Sequence, residues 1–72
     1  MDLTPTELRL LAILYNQAYK LGGINRKSAA EYMRITQNSL NQYLKNIYFK
    51  LNVHDVTSAV IRGKEYLPDK VL

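Results

Sequence analysis

Leu40, Leu44, Ile47, Tyr48 and Leu51 recur at i, i+4, i+7, i+8 and i+11 within the stretch TQNSLNQYLKNIYFKLNV, residues 36–53. That spacing gathers five large apolar side chains on one face of a single helix. A helix with so complete a stripe is stable only when other elements cover it, so the rest of the chain has to supply that cover. The opposite face carries Asn38, Asn41, Gln42 and Lys45. Amides offer donors and acceptors together, and the lysine adds a fixed positive charge, a combination suited to reading base edges in a DNA groove.

The covering elements are legible from their ends. Thr4-Pro5-Thr6-Glu7 is a strong helix start: Thr4 can cap, Pro5 sits where a missing N–H costs nothing, and Glu7 falls where a capping box needs it. The first helix is predicted over about 5–20, with Leu8, Leu11, Tyr15 and Ala18 facing the core, Leu10, Leu14 and Leu21 broadening that face, and Gly22-Gly23 stopping it. Asn25 caps a short second helix, about 26–34, with Ala29, Ala30 and Met33 inward and Arg26, Lys27, Glu31 and Arg34 outward. Ile35-Thr36 is a tight connection, Thr36 caps the third helix over 37–51, and Asn52 ends it. Asp55 caps a fourth, about 56–66, whose stripe is Val56, Ala59, Val60, Gly63 and Leu67; it closes at Leu67-Pro68, and Asp69 to Leu72 are expected to fray. The prediction is one all-α domain of four helices, residues 1–72.

Composition excludes several classes of function. With 72 residues the chain buries only about 60–65% of its unfolded surface, which makes for modest stability. It has no cysteine, hence no disulfide, thiolate nucleophile or cysteine-ligated zinc. The carboxylates are scattered and no glycine-rich phosphate loop exists, so neither a metal nor any other cofactor is implied. The lone His54-Asp55 pair lacks a nucleophile or a ligand cluster and reads as a cap or surface feature, not a catalytic site. No apolar run is long enough for a membrane span, and no basic leader opens the chain, so a soluble, cytoplasmic, non-membrane protein is expected. Between 26 and 50, five basic residues face only Glu31, which numerically equals the whole net charge of +4. A local basic surface is the footprint of a polyanion partner, though a solvated charged face would look the same.

A short helix, a tight turn and a longer helix with a polar outer face is the helix-turn-helix arrangement. LTPTE at 3–7, NRKSAAEYMRIT at 25–36, NSLNQYLKNIYFKLNV at 38–53 and HDVTSAV at 54–60 resemble the LuxR/FixJ (GerE-like) DNA-binding domain over nearly the whole chain. The departures are a longer first helix, through YNQAYKLGG, and Asn41, Tyr43 and Phe49 where that family usually has lysine, histidine and a basic residue. They remove positive charge from the reading face and leave the core stripe intact.

The resemblance implies base contacts from Asn41, Gln42 and Lys45, and phosphate contacts from Lys27, Thr36, Gln37, Asn38 and Lys50 with backbone amides at the start of the third helix. It also implies a dimer contact on the fourth helix, for which Val56, Ile61, Tyr66 and Leu67 are the candidates. The expected function is a sequence-specific, double-stranded DNA-binding transcriptional regulator, homodimeric on a two-fold site. The competing expectation is a protein-interaction module that dimerises with another LuxR-type transcription regulator and modulates it. Non-specific nucleic-acid binding fits less well, because amides are an odd choice for charge neutralisation. For each residue a plain surface or packing role stands beside the functional one: the fourth-helix stripe could simply pack on the first helix, and Tyr43 sits at the edge of the core stripe. Phe49 points away from Leu44 and Leu51, and thymine methyls, a partner surface and Arg34 are all open as its contact.

Overall fold

A computed structural model describes residues 2–67, so the expected closing Pro68 and the expected fraying from Asp69 to Leu72 lie outside the described residues. The chain forms four helices, α1 (Pro5–Lys20), α2 (Arg26–Met33), α3 (Gln37–Leu51) and α4 (Val56–Gly63), and a 3₁₀ turn over Lys64–Tyr66. All four predicted caps form. Thr4 and Glu7 make the reciprocal capping box, with the Glu7 amide donating to Thr4 Oγ1 at 3.2 Å and the Thr4 amide to Glu7 Oε1 at 2.8 Å. Asn25 accepts from the Ser28 amide, Thr36 from that of Ser39, and Asp55 from that of Ser58 at 2.7 Å. Each satisfies an amide that the helix geometry leaves without a partner.

α1 runs through the centre and packs against α2, α3, α4 and the 3₁₀ turn, while α3 lies between α2 and α4. The core is built from Leu10, Leu11 and Leu14 of α1, Leu40, Leu44, Ile47 and Leu51 of α3, Ala59 and Val60 of α4, and Leu67. Ala29 and Ala30 are fully covered, and their small side chains let α2 approach its neighbours closely. α3 therefore buries the stripe its spacing predicts, with Tyr48 half-buried at its margin.

α1 departs from its expected orientation. Leu8, Tyr15 and Ala18 are half-buried flanks, and the covered face is Glu7, Leu10, Leu11, Leu14 and Gln17. A hydrophobic pattern rejects the two polar positions, yet both are hydrogen-bonded and, among the described residues, no buried side-chain N or O is left without a partner, which offsets the cost of desolvation. Gln17 donates from Nε2 to the Asn25 carbonyl at 3.1 Å and accepts from the Asn25 amide at 3.0 Å. Leu21, expected to widen the apolar face, is 70% exposed; it is the C-cap, where the helical period no longer sets direction.

Two further corrections concern helix ends. Arg34 is not the last turn of α2 but its left-handed cap, at φ 58 and ψ 44. The Ile35 amide closes the turn on the Ala30 carbonyl at 3.0 Å. α4 ends at Gly63, and the segment expected to continue it to residue 66 tightens into the 3₁₀ turn. Gly63 lies against α1: a Cβ there would sit 2.8 Å from Leu11 Cδ1.

Candidate nucleic-acid interface

Because Leu40, Leu44, Ile47 and Leu51 fix the rotation of α3, its outer face is fixed too. Asn38, Asn41, Gln42, Lys45, Asn46 and Phe49 are all exposed on it. Beside the first three turns an open groove runs between this face and the start of α2, with Arg26 on one wall and Asn41, Gln42, Lys45 and Tyr48 on the other. Arg26 Nη2 donates to the Tyr48 hydroxyl at 3.4 Å. Burial pushes the Tyr48 phenol above its usual range and Asp55 adds to the rise, while the Arg26 guanidinium opposes it. The phenol is thus neutral at the groove's edge and accepts from the Arg26 guanidinium beside it. Neither was among the expected site residues, since they lie 22 positions apart and no local pattern pairs them.

The start of α3 is preorganised. The Thr36 hydroxyl accepts from the Ser39 amide at 3.1 Å and donates to Ser39 Oγ at 3.1 Å, so it serves the cap first. Gln37 and Asn38 stand exposed in the first turn beside it. A helix N-terminus carries partial positive charge and outward-facing amides, which favours an anion. Lys27 is exposed on the first turn of α2.

Lys50, a candidate for phosphate contact, is engaged within the fold. Its ammonium lies 2.7 Å from Glu7 Oε1, and its side chain is only 18% exposed. Burial would raise the Glu7 carboxyl, but the Lys50 ammonium and the Thr4 amide outweigh it and hold the group below the usual glutamate range. The pair clamps the C-terminal turn of α3 to the first turn of α1. Arg62 Nη1 adds a second tie, donating to the Leu51 carbonyl at 3.4 Å.

The candidate dimer residues divide. Ile61 is 57% and Tyr66 52% exposed, Val56 is half-buried, and Leu67 is 7% exposed within the monomer's own core. Leu67 is already covered by the monomer and offers no surface to a second copy. His54 is exposed, and Asp55 is held below the usual carboxylate range, chiefly by its hydrogen bonds from the Ser58 amide and hydroxyl, with His54 adding to the effect. Among the described residues no helix is long and apolar enough to cross a membrane, and no three His, Cys, Asp or Glu side chains are gathered as a metal would need.

The chain is 37% identical over 67 residues to the transcriptional regulatory protein LnrK of Bacillus subtilis (strain 168). That relative is a transcriptional regulator. The match takes in 92% of this chain and 27% of LnrK, so the chain spans about a quarter of the length of the curated relative it matches. No protein-family profile matches the chain, and no solved structure matches it.

Proposed function

We propose that this chain is a DNA-binding helix-turn-helix domain of the LuxR/FixJ (GerE-like) type that serves transcription regulation, with α3 in the major groove. The observation that carries this reading is the outer face of α3. Asn41, Gln42 and Lys45 stand exposed on a helix whose other face is locked in the core, beside a groove walled by Arg26. The similarity to LnrK supports it. Asn41 and Gln42 can each pair bidentately with adenine N6 and N7, and Lys45 can donate to guanine O6 and N7. Lys27, Gln37, Asn38 and the Thr36 turn, joined by Arg26, position the helix on the phosphates. Lys50, engaged by Glu7, contributes to the fold rather than to the contact. Ile61 and Tyr66, with the edge of Val56, are the surface through which two copies would pair, placing two α3 helices in successive major grooves about one helical turn apart.

Selection from random-sequence duplexes tests the reading, with folding of each variant checked by circular dichroism. The native chain is expected to enrich one motif, with log affinity falling linearly against log salt. Asn41→Ala and Gln42→Ala should each relax preference at one base pair by about 1–3 kcal/mol. Absence of any enriched motif at low salt, or a motif unchanged in both variants, would overturn it.

A further inference from the structure

Phe49 is 74% exposed, the largest exposure among the large hydrophobic side chains described. It lies on the side of α3 opposite Leu40 and Leu44, both of which are buried. The core therefore has no use for it. Gln42, Lys45, Asn46 and Phe49 stand at i, i+3, i+4 and i+7 and form one outward ridge, every member of it exposed. At 1.5 Å per residue the ridge is about 10 Å long, or roughly three base-pair steps. A helix lying along the major groove presents this pattern of positions to the base edges. The charge that could have crowned the ridge is elsewhere: Lys50, the next residue, is drawn inward onto Glu7. The last turn of the ridge thus offers a bare aromatic ring where its earlier turns offer amides and an ammonium.

From the placement of this ring we infer that Phe49 is a specificity-determining residue that packs on the C5-methyl group of a pyrimidine in the major groove. The inference rests on the DNA-binding reading above. A phenyl ring can neither donate to nor accept from a base edge, and the apolar group that the major groove displays is the thymine methyl. 5-Methylcytosine carries the same methyl, so the chemistry selected is a C5-methylated pyrimidine at the outer edge of the site read by Gln42 and Lys45. A protein partner fits the surroundings less well. Lys45 and Asn46 flank the ring, and the other exposed large apolar side chains, Tyr19, Leu21, Tyr32, Ile61 and Tyr66, all stand outside α3.

The experiment starts from the duplex that the native chain selects and replaces its thymines one at a time by deoxyuridine, which deletes only the methyl group. One replacement per half-site is expected to weaken binding by about fourfold, the worth of one buried methyl. Phe49→Ala, a solvent-facing change checked by circular dichroism, should bind the thymine and uracil forms of that position equally and keep its dependence on the bases read by Asn41 and Gln42. 5-Methylcytosine at the same position should bind the native chain better than cytosine. If a motif is selected but no thymine shows a methyl effect that Phe49→Ala abolishes, the role of Phe49 is overturned while the DNA-binding reading stands. If Phe49→Ala leaves the selected motif intact and instead breaks self-association on light scattering, the ring belongs to a protein contact and the inference fails. If no motif is selected at all, both fall.

Discussion

Arg34 occupies a backbone conformation that most side chains avoid, and replacing it by glycine should make the domain more stable. Its φ of 58 puts it in the left-handed region at the turn between α2 and α3. A side chain there costs about 1–2 kcal/mol through the approach of Cβ to the following carbonyl. Glycine removes that cost but gives back about 0.5–1 kcal/mol of unfolded-chain freedom. The hydrogen bonds that close the turn, from the Arg34 and Ile35 amides, come from the backbone and survive the change. Arg34→Gly is therefore expected to stabilise by up to about 1.5 kcal/mol, with a middle value of about 0.75 kcal/mol that raises Tm by about 3–6 °C in a domain of this size. Urea unfolding followed by circular dichroism reads the effect, and two sites calibrate it. Asn52, at φ 56, caps α3 in the same way, but asparagine tolerates this region, so Asn52→Gly should change stability little. Gly22, at φ 88, has open space around its absent Cβ, so Gly22→Ala should destabilise through backbone conformation alone. If Arg34→Gly and Arg34→Ala lower stability equally, the Arg34 side chain holds the turn and the backbone argument is refuted.

Two further changes probe the packing around α1. The folded-state pKa of Glu7 lies below its unfolded value, so the stabilisation it brings is fully present above the ordinary glutamate range and is lost as pH falls through the lowered value. Glu7→Gln should flatten the acid limb of the stability profile, and an unchanged limb would remove Glu7 from the account; Lys50→Met, which strands a buried carboxylate, should cost about 1–3 kcal/mol at neutral pH. At Gly63, an alanine Cβ would meet Leu11 Cδ1 at 2.8 Å and Cδ2 at 3.1 Å, and Leu11, 1% exposed, cannot swing into solvent. Overpacking of about 1–3 kcal/mol then exceeds the roughly 1 kcal/mol of helix propensity gained, so Gly63→Ala should destabilise in thermal unfolding, and much less so in a Leu11→Ala background.

The fold was legible wherever one local rule decided the outcome. Thr4, Asn25, Thr36 and Asp55 announce their helices because a side-chain oxygen and an orphan amide three residues on need nothing else. Leu40, Leu44, Ile47 and Leu51 likewise fix the rotation of α3 by period alone, and with it the outward placement of Asn41, Gln42 and Lys45. What escaped depended on partners distant in sequence. Glu7 and Lys50 are 43 positions apart, so neither the burial of the first nor the inward turn of the second has a local signature. The same holds for Gln17, whose polarity argues against the core until the Asn25 backbone is seen beside it, and for Arg26 beside Tyr48. Leu67 ran the other way: its apolar role was expected from a stripe on α4, yet α4 ends at Gly63 and Leu67 lies beyond the 3₁₀ turn, and a stripe alone does not say whether the monomer or a second copy covers it.

The grip of Gln17 on Asn25 has a consequence for how this small domain can change over time. One side-chain amide holds both polar backbone groups of the residue that opens α2, across eight positions of chain. The direction in which α2 departs is thus set by α1 itself. The intervening Gly22 and Gly23 are exposed, with nothing packed where a Cβ would stand, and they shape the exit of α1 through backbone alone, Gly22 by its left-handed φ of 88 and Gly23 by its amide's bond to the Gln17 carbonyl at 2.9 Å. Lengthening such a tether is cheap, about 0.6 kcal/mol for each doubling. The link between α1 and α2 is consequently a place where residues can be gained or lost without re-aiming α2 or the helix it presents, provided Gln17 and the backbone it holds remain.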